Sequence, residues 1–118
     1  MSISEAIAEF RATASAKGNF SADCAEDHAL HERMTRAFRF LANQGPAGRN
    51  AFVALLDDES PHVRSWVAAQ LLFENDARAI PVAETLTAEP GLLGFTARVT
   101  LDEYSAGRLR SPFGASIP

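Results

Sequence analysis

The chain has 118 residues, a net charge of −4, a single cysteine and a hydrophobic fraction of 47%. That length suits one domain with a modest core, and that apolar fraction excludes wholesale disorder. No apolar run is long enough to cross a bilayer, and Met1–Phe10 carries Glu5 and Glu9 where a secretory signal needs a basic start and an apolar middle. Cys24 alone closes no internal disulfide, so a reducing, cytoplasmic location is expected. Alanine is common while valine, isoleucine and threonine are sparse, a balance that favours helix over sheet.

Ser2 and Glu5 make an S-x-x-E capping box. Ile3, Ile7, Phe10 and Ala14 then recur on one helical face, and Gly18 is expected just past the end of this first helix. A second, longer helix starts at Ser21 or Asp23, with Leu30, Met34, Phe38 and Leu41 on one stripe. Its acids come first and Arg33, Arg36 and Arg39 come last, which complements the helix dipole. Gly45-Pro46 closes it. A third helix is expected over 47–57, with Phe52, Leu55 and Leu56 apolar.

Asp57-Asp58-Glu59 reads as a turn, with Ser60 as N-cap and Pro61 at the first helical position. A fourth helix over 62–73 carries Val63, Val67 and Leu71 with Trp66 beside them. Asn75 or Asp76 caps a fifth helix, 77–88, with Ile80, Ala83, Thr85 and Leu86 inward. Pro90-Gly91 breaks it. A sixth helix runs over 92–105 and stops at Gly107, and 108–118 reads as a tail, partly ordered at best. No segment alternates as a strand does, so the protein is expected to be all-α.

Helices three and four match five and six at an offset of about thirty residues, within the range of stacked helical repeats. Leu56 corresponds to Leu86, Ala68 to Ala97 and Leu72 to Leu101. The stretch ALLDDESPHVRSWVAAQLL resembles the HEAT-like repeat through Leu55, Leu56, Asp57, Asp58, Pro61, Val63, Arg64, Ala68, Ala69 and Leu72. More narrowly, residues 45–109, with Gly94, Ala97, Leu101, Tyr104 and Gly107, resemble a small bacterial helical family of unknown function. The resemblance implies a short right-handed α–α superhelix of about six helices in one domain. In it, 1–45 are capping helices and 46–107 are two helical hairpins. Arg64, Ala68, Ala69 and Gly107 are then architectural. Some small acidic proteins of this kind act as immunity partners of toxins, which the resemblance extends to this chain as an expectation.

Charge is uneven. Residues 50–90 hold seven acids against Arg64 and Arg78, while 1–49 balance six acids with six bases. An acidic field repels nucleic acid and attracts basic proteins. The expected function is therefore protein binding without catalysis or cofactor. Its surface is an acidic ridge of Asp57, Asp58, Glu59, Glu74 and Asp76, with Trp66 and Gln70 nearby; Trp66 reads as core, and as a hot spot for a partner if it lies at a groove edge with Gln70 and Phe95.

Two other readings come from other classes. Cys24, His28 and His31 fall at i, i+4 and i+7 on the second helix, soft or borderline ligands for zinc in a metal protein or enzyme. Set against this, one helix seldom supplies three ligands. Arg33, Arg36 and Arg39 form a basic cluster for nucleic acid, although their spacing drifts around the helix. No G-x-S-x-G or glycine-rich phosphate loop occurs, and the acids of Asp57/Asp58 and of Asp102/Glu103 diverge by about 100° on a helix. Neither oligomeric state nor partner identity follows from the residues.

Overall fold

In the computed structural model, which describes residues 1–18 and 24–114, the backbone forms six α-helices and one 3-10 turn, with no strand among the described residues. The protein is all-α, as the composition predicts. The chain divides into two compact units, Met1–Leu55 and Leu56–Pro118.

The first unit holds α1 (Ile3–Gly18), α2 (Cys24–Ala42) and α3 (Gly45–Ala54). Its start follows the capping box: the Glu5 N–H donates to Ser2 Oγ at 3.1 Å and the Ser2 N–H donates to Glu5 Oε1 at 2.8 Å. That backbone bond, ahead of the Ser2 hydroxyl bond, holds the Glu5 carboxyl below its usual range. The buried face of α1 is Ala6, Phe10, Thr13 and Ala14, with Ile3 and Ile7 only half-buried at its margin. Burial of Thr13 is permitted because its hydroxyl donates to the Glu9 and Phe10 carbonyls, so no polar group is stranded. Gly18 is the last residue of α1 and does not lie beyond it. The predicted N-caps of the second helix, Ser21 and Asp23, lie outside the described residues.

One phenylalanine from each helix meets in the core of this unit. Phe52 sits edge-on to Phe10 at 5.4 Å between centroids and to Phe38 at 5.1 Å. Edge-to-face rings of this kind add about 0.5–1.5 kcal/mol to the burial of each. Across the outside of the α1–α2 pair, Arg33 grips Glu9 with two bonds of 2.8 and 2.9 Å, and Lys17 reaches Asp27 at 2.9 Å. Gly45 has φ +65° and Pro46 follows in the first turn of α3, so this pair opens the third helix two residues earlier than expected. The far end of the expected third helix tightens into the 3-10 turn Leu55–Asp57.

The second unit holds α4 (Pro61–Phe73), α5 (Ala79–Leu86) and α6 (Gly91–Ser105), which pack on one another. Ser60 caps α4 by accepting from the Val63 N–H at 3.4 Å, and Pro61 occupies the position where its missing donor costs nothing. Asn75, at φ +60°, ends α4: its N–H returns to the Leu72 carbonyl while that of Asp76 returns to Leu71. This is the paired closure of a left-handed C-terminal cap, and Gly107 repeats it at the end of α6. Helix α5 is four residues shorter than expected, 79–86 in place of 77–88. Pro81 accounts for the two residues lost at the N-terminal end, because a helix tolerates proline in its first turn and not further inside.

The core of this unit is Leu56, Val63, Val67, Ala68, Leu71 and Leu72 with Ala79, Ala83, Leu86 and Ala97. Of the matched repeat positions, Leu56, Leu86, Ala68, Ala97 and Leu72 are buried, while Leu101 is half-buried. Gly94 allows α6 its position: a Cβ there would strike the Glu89 carbonyl oxygen. In the expected tail, Phe113 is 2% exposed.

Candidate functional site

The acidic residues singled out from the sequence all lie in the second unit, but the fold does not gather them. Asp57, Asp58 and Glu59 precede α4, and Glu74 and Asp76 follow it. A helix of 13 residues separates the two turns by about 20 Å. That is more than twice the screening length of about 8 Å at physiological salt, so the two turns act as separate charge centres and not as one ridge. The expectation of a ridge assumed that successive turns share an edge; consecutive turns at the two ends of one helix cannot.

Their local roles also differ. Asp57 and Glu59 are exposed. Asp58 is half-buried, and its carboxylate accepts from the Ser60 N–H at 3.0 Å. Its carbonyl oxygen accepts from Arg64 at 2.6 Å. Arg64 thus ties the turn to the first coils of α4. Glu74 is exposed, but one oxygen accepts from Gln70 Nε2 at 2.6 Å. Asp76 is held by Arg78, whose backbone and guanidinium N–H groups donate to both carboxylate oxygens. This contact raises the Arg78 pKa. Asp57, Glu59 and Glu74 are therefore the exposed members of the five.

Trp66 and Gln70 do not form an open groove edge. Gln70 is 4% exposed, and Ser111 of the C-terminal segment donates to its Oε1 at 2.6 Å. The Phe113 N–H donates to the same Ser111 hydroxyl at 3.1 Å, and the Phe113 ring lies 6.2 Å from Trp66 with the planes tilted by 32°. The chain after α6 thus folds back over α4 and covers the two residues that the sequence suggested for a partner. Buried Gln70 is fully used within the unit, and Trp66 is half-buried beneath the chain's own aromatic residue. The one aromatic residue of the tail, Phe113 behind Ser111-Pro112, was the available signal for this packing. Ala68 is buried and Ala69 half-buried on α4.

Phe95, by contrast, is 55% exposed on α6, and it has company. Leu92 is 75% and Val99 42% exposed. These three fall at i, i+3 and i+7, on one side of the helix. The buried Gly94 and Ala97 and half-buried Leu101 mark the opposite side. Of these three, the sequence suggested Phe95 alone for a surface; Leu92 and Val99 lie in the same fifteen residues.

In the first unit, Cys24 is exposed, and His28 lies 2.9 Å from Glu32, one turn along its own helix. His31 is half-buried and lines an open hollow of about 320 Å³ with Glu32, Thr35, Arg36 and Arg39. No group of three or more His, Cys, Asp or Glu side chains placed to hold a metal ion occurs among the described residues. Of the three arginines proposed for nucleic acid, Arg33 is committed to Glu9, which draws the Glu9 carboxyl below its usual range. Arg36 and Arg39 face the hollow with His31. No helix is long and apolar enough to cross a membrane among the described residues.

No protein-family model, no curated protein and no solved structure matches the chain.

Proposed function

We propose that the protein is a non-catalytic binding module whose second unit engages a basic protein. The observation that supports this reading is the distribution of charge. Residues 56–118 hold nine acids and five arginines, so they carry the whole net charge of −4, while residues 1–55 balance six acids with six bases. Asp57, Glu59 and Glu74 display part of that charge at the surface, at both ends of α4. A field of this sign accelerates encounter with a cationic surface and discourages nucleic acid. An immunity protein that occludes a basic toxin fits this physics, and so does an adaptor of the cytoplasm; the HEAT-like resemblance favours the same class.

The test is capture from a lysate of the source organism, at low and moderate salt, with the wild type and with Asp57→Lys/Glu59→Lys/Glu74→Lys. One basic protein retained by the wild type at low salt and lost by the triple variant supports the reading. Equal retention by both, or an acidic protein retained by the wild type, contradicts it.

A further inference from the structure

Five residues of α2, His31, Glu32, Thr35, Arg36 and Arg39, line an open hollow of about 320 Å³ in the first unit. That volume sits at the lower end of the range of small-molecule sites, about 300–1,000 Å³. We propose that the hollow is a binding site for a phosphate-type anion, free or as the terminal group of a small metabolite. The site belongs to the first unit alone and goes beyond the binding role given to the second.

Spacing gathers the donors. His31, Thr35 and Arg39 succeed one another at steps of four residues, and Glu32 and Arg36 form the row beside them, so all five share one face of the helix. His31 and Thr35 are half-buried, and Arg36 and Arg39 are exposed. Long side chains on a helix lean toward its N-terminus, which carries both guanidinium groups back over the turns that hold Thr35 and His31. Two guanidinium forks, a hydroxyl and an imidazole then address one space. A guanidinium pairs with phosphate through two parallel N–H···O bonds, and a terminal phosphate has three acceptor oxygens to share between two forks. A carboxylate has only two.

Charges around the hollow are sorted. Its one acid, Glu32, lies 2.9 Å from His28. Arg33, which interrupts the row, is turned to Glu9 with two bonds, and Glu9 feels Arg36 only through space. Asp27, one turn earlier, is in contact with Lys17 at 2.9 Å. Residues 31–49 hold four arginines against Glu32 alone, within a unit that balances six acids with six bases. The two lining arginines exceed what the helix end asks for: the C-terminal pole of α2 is equivalent to about half a negative charge, against two full positive ones. No aromatic ring lines the hollow among the described residues, so nothing there stacks a base and a polynucleotide is the poorer occupant.

Isothermal titration calorimetry of the full chain at constant ionic strength tests the site with inorganic phosphate and glycerol phosphate, and with acetate as the comparison. At least one phosphate-bearing probe binds the wild type at a single site with a dissociation constant of about 1 mM or tighter, and acetate binds at least about tenfold more weakly. Arg36→Gln and Arg39→Gln each weaken that binding at least about tenfold, while Arg11→Gln, which removes an exposed arginine of α1, leaves it unchanged. Arg36→Lys falls between, because it keeps the charge and gives up the fork. Circular dichroism checks the helicity of each variant, and the lysine variant carries the test if a glutamine variant unfolds. Tighter binding of glycerol phosphate assigns the site to a metabolite's terminal group, and equal affinities assign it to the free anion. The proposal is overturned if neither phosphate probe binds, if acetate binds as tightly, if Arg11→Gln costs as much as the lining substitutions, or if affinity is indifferent to both of those. Capture of a basic protein by the second unit is untouched by any of these outcomes, so the two readings fail separately.

Discussion

Single atoms decide several features of this fold. At Gly94 the missing Cβ lets α6 begin beside the Glu89 carbonyl, a backbone atom that cannot move aside. Alanine is the better helix former by about 1 kcal/mol, but forcing a methyl into a filled site costs about 1–3 kcal/mol. The clash wins, so Gly94→Ala should lower the stability seen in denaturant titration; an unchanged or raised midpoint would show that the α5–α6 connection yields freely. Glu9 offers a test through pH. Its carboxyl is held low first by the hydrogen bonds from Arg33, so its folded pKa lies below its unfolded one. Such a group stabilises the folded state above the unfolded value of about 4.3 and loses that contribution as pH falls through the folded value. Acid unfolding of the wild type between about pH 5 and 3 should therefore be steeper than that of Glu9→Gln, which has no proton to take up at that position. Parallel acid profiles would mean that the pair adds nothing, as many exposed pairs do.

Among the elements, the segment after α6 changes the picture most. Ser111 satisfies a glutamine that is otherwise buried, and Phe113 closes over Trp66. Removing a buried phenylalanine ring costs about 3–5 kcal/mol, so Phe113→Ala should destabilise the second unit by that order and shift Trp66 emission to the red as water reaches the indole. An emission maximum that stays put would place Phe113 outside the tryptophan's surroundings. Elements that sequence made legible were those with punctuation of their own: the Ser2–Glu5 box, Ser60-Pro61, Pro90-Gly91 and Gly107 all mark helix ends where the structure has them. Less legible were ends set by tertiary demand. Pro81 trimmed α5, and Asn75 took a left-handed cap that carries no glycine to announce it. The tail escaped because its packing partners, Gln70 and Trp66, lie some forty residues earlier, beyond any local pattern.

At the scale of the whole molecule, helical content was written in composition and period, whereas the candidate surface depended on where helix ends fall in space. Asp57 and Asp76 belong to the same acidic third of the sequence, yet α4 holds their turns about 20 Å apart. Conversely, Leu92, Phe95 and Val99 look like ordinary core residues until Gly94 and Ala97 are seen to occupy the inward side of the same helix. The proposed binding role is one of division of labour: long-range attraction from an acidic second unit, and short-range contact through whatever that unit leaves exposed. Its direct measurement is the association rate of the captured basic protein on the immobilised chain, recorded across ionic strength. The account predicts an on-rate that falls several-fold between about 50 and 200 mM salt while the off-rate changes little. An on-rate indifferent to salt would contradict it.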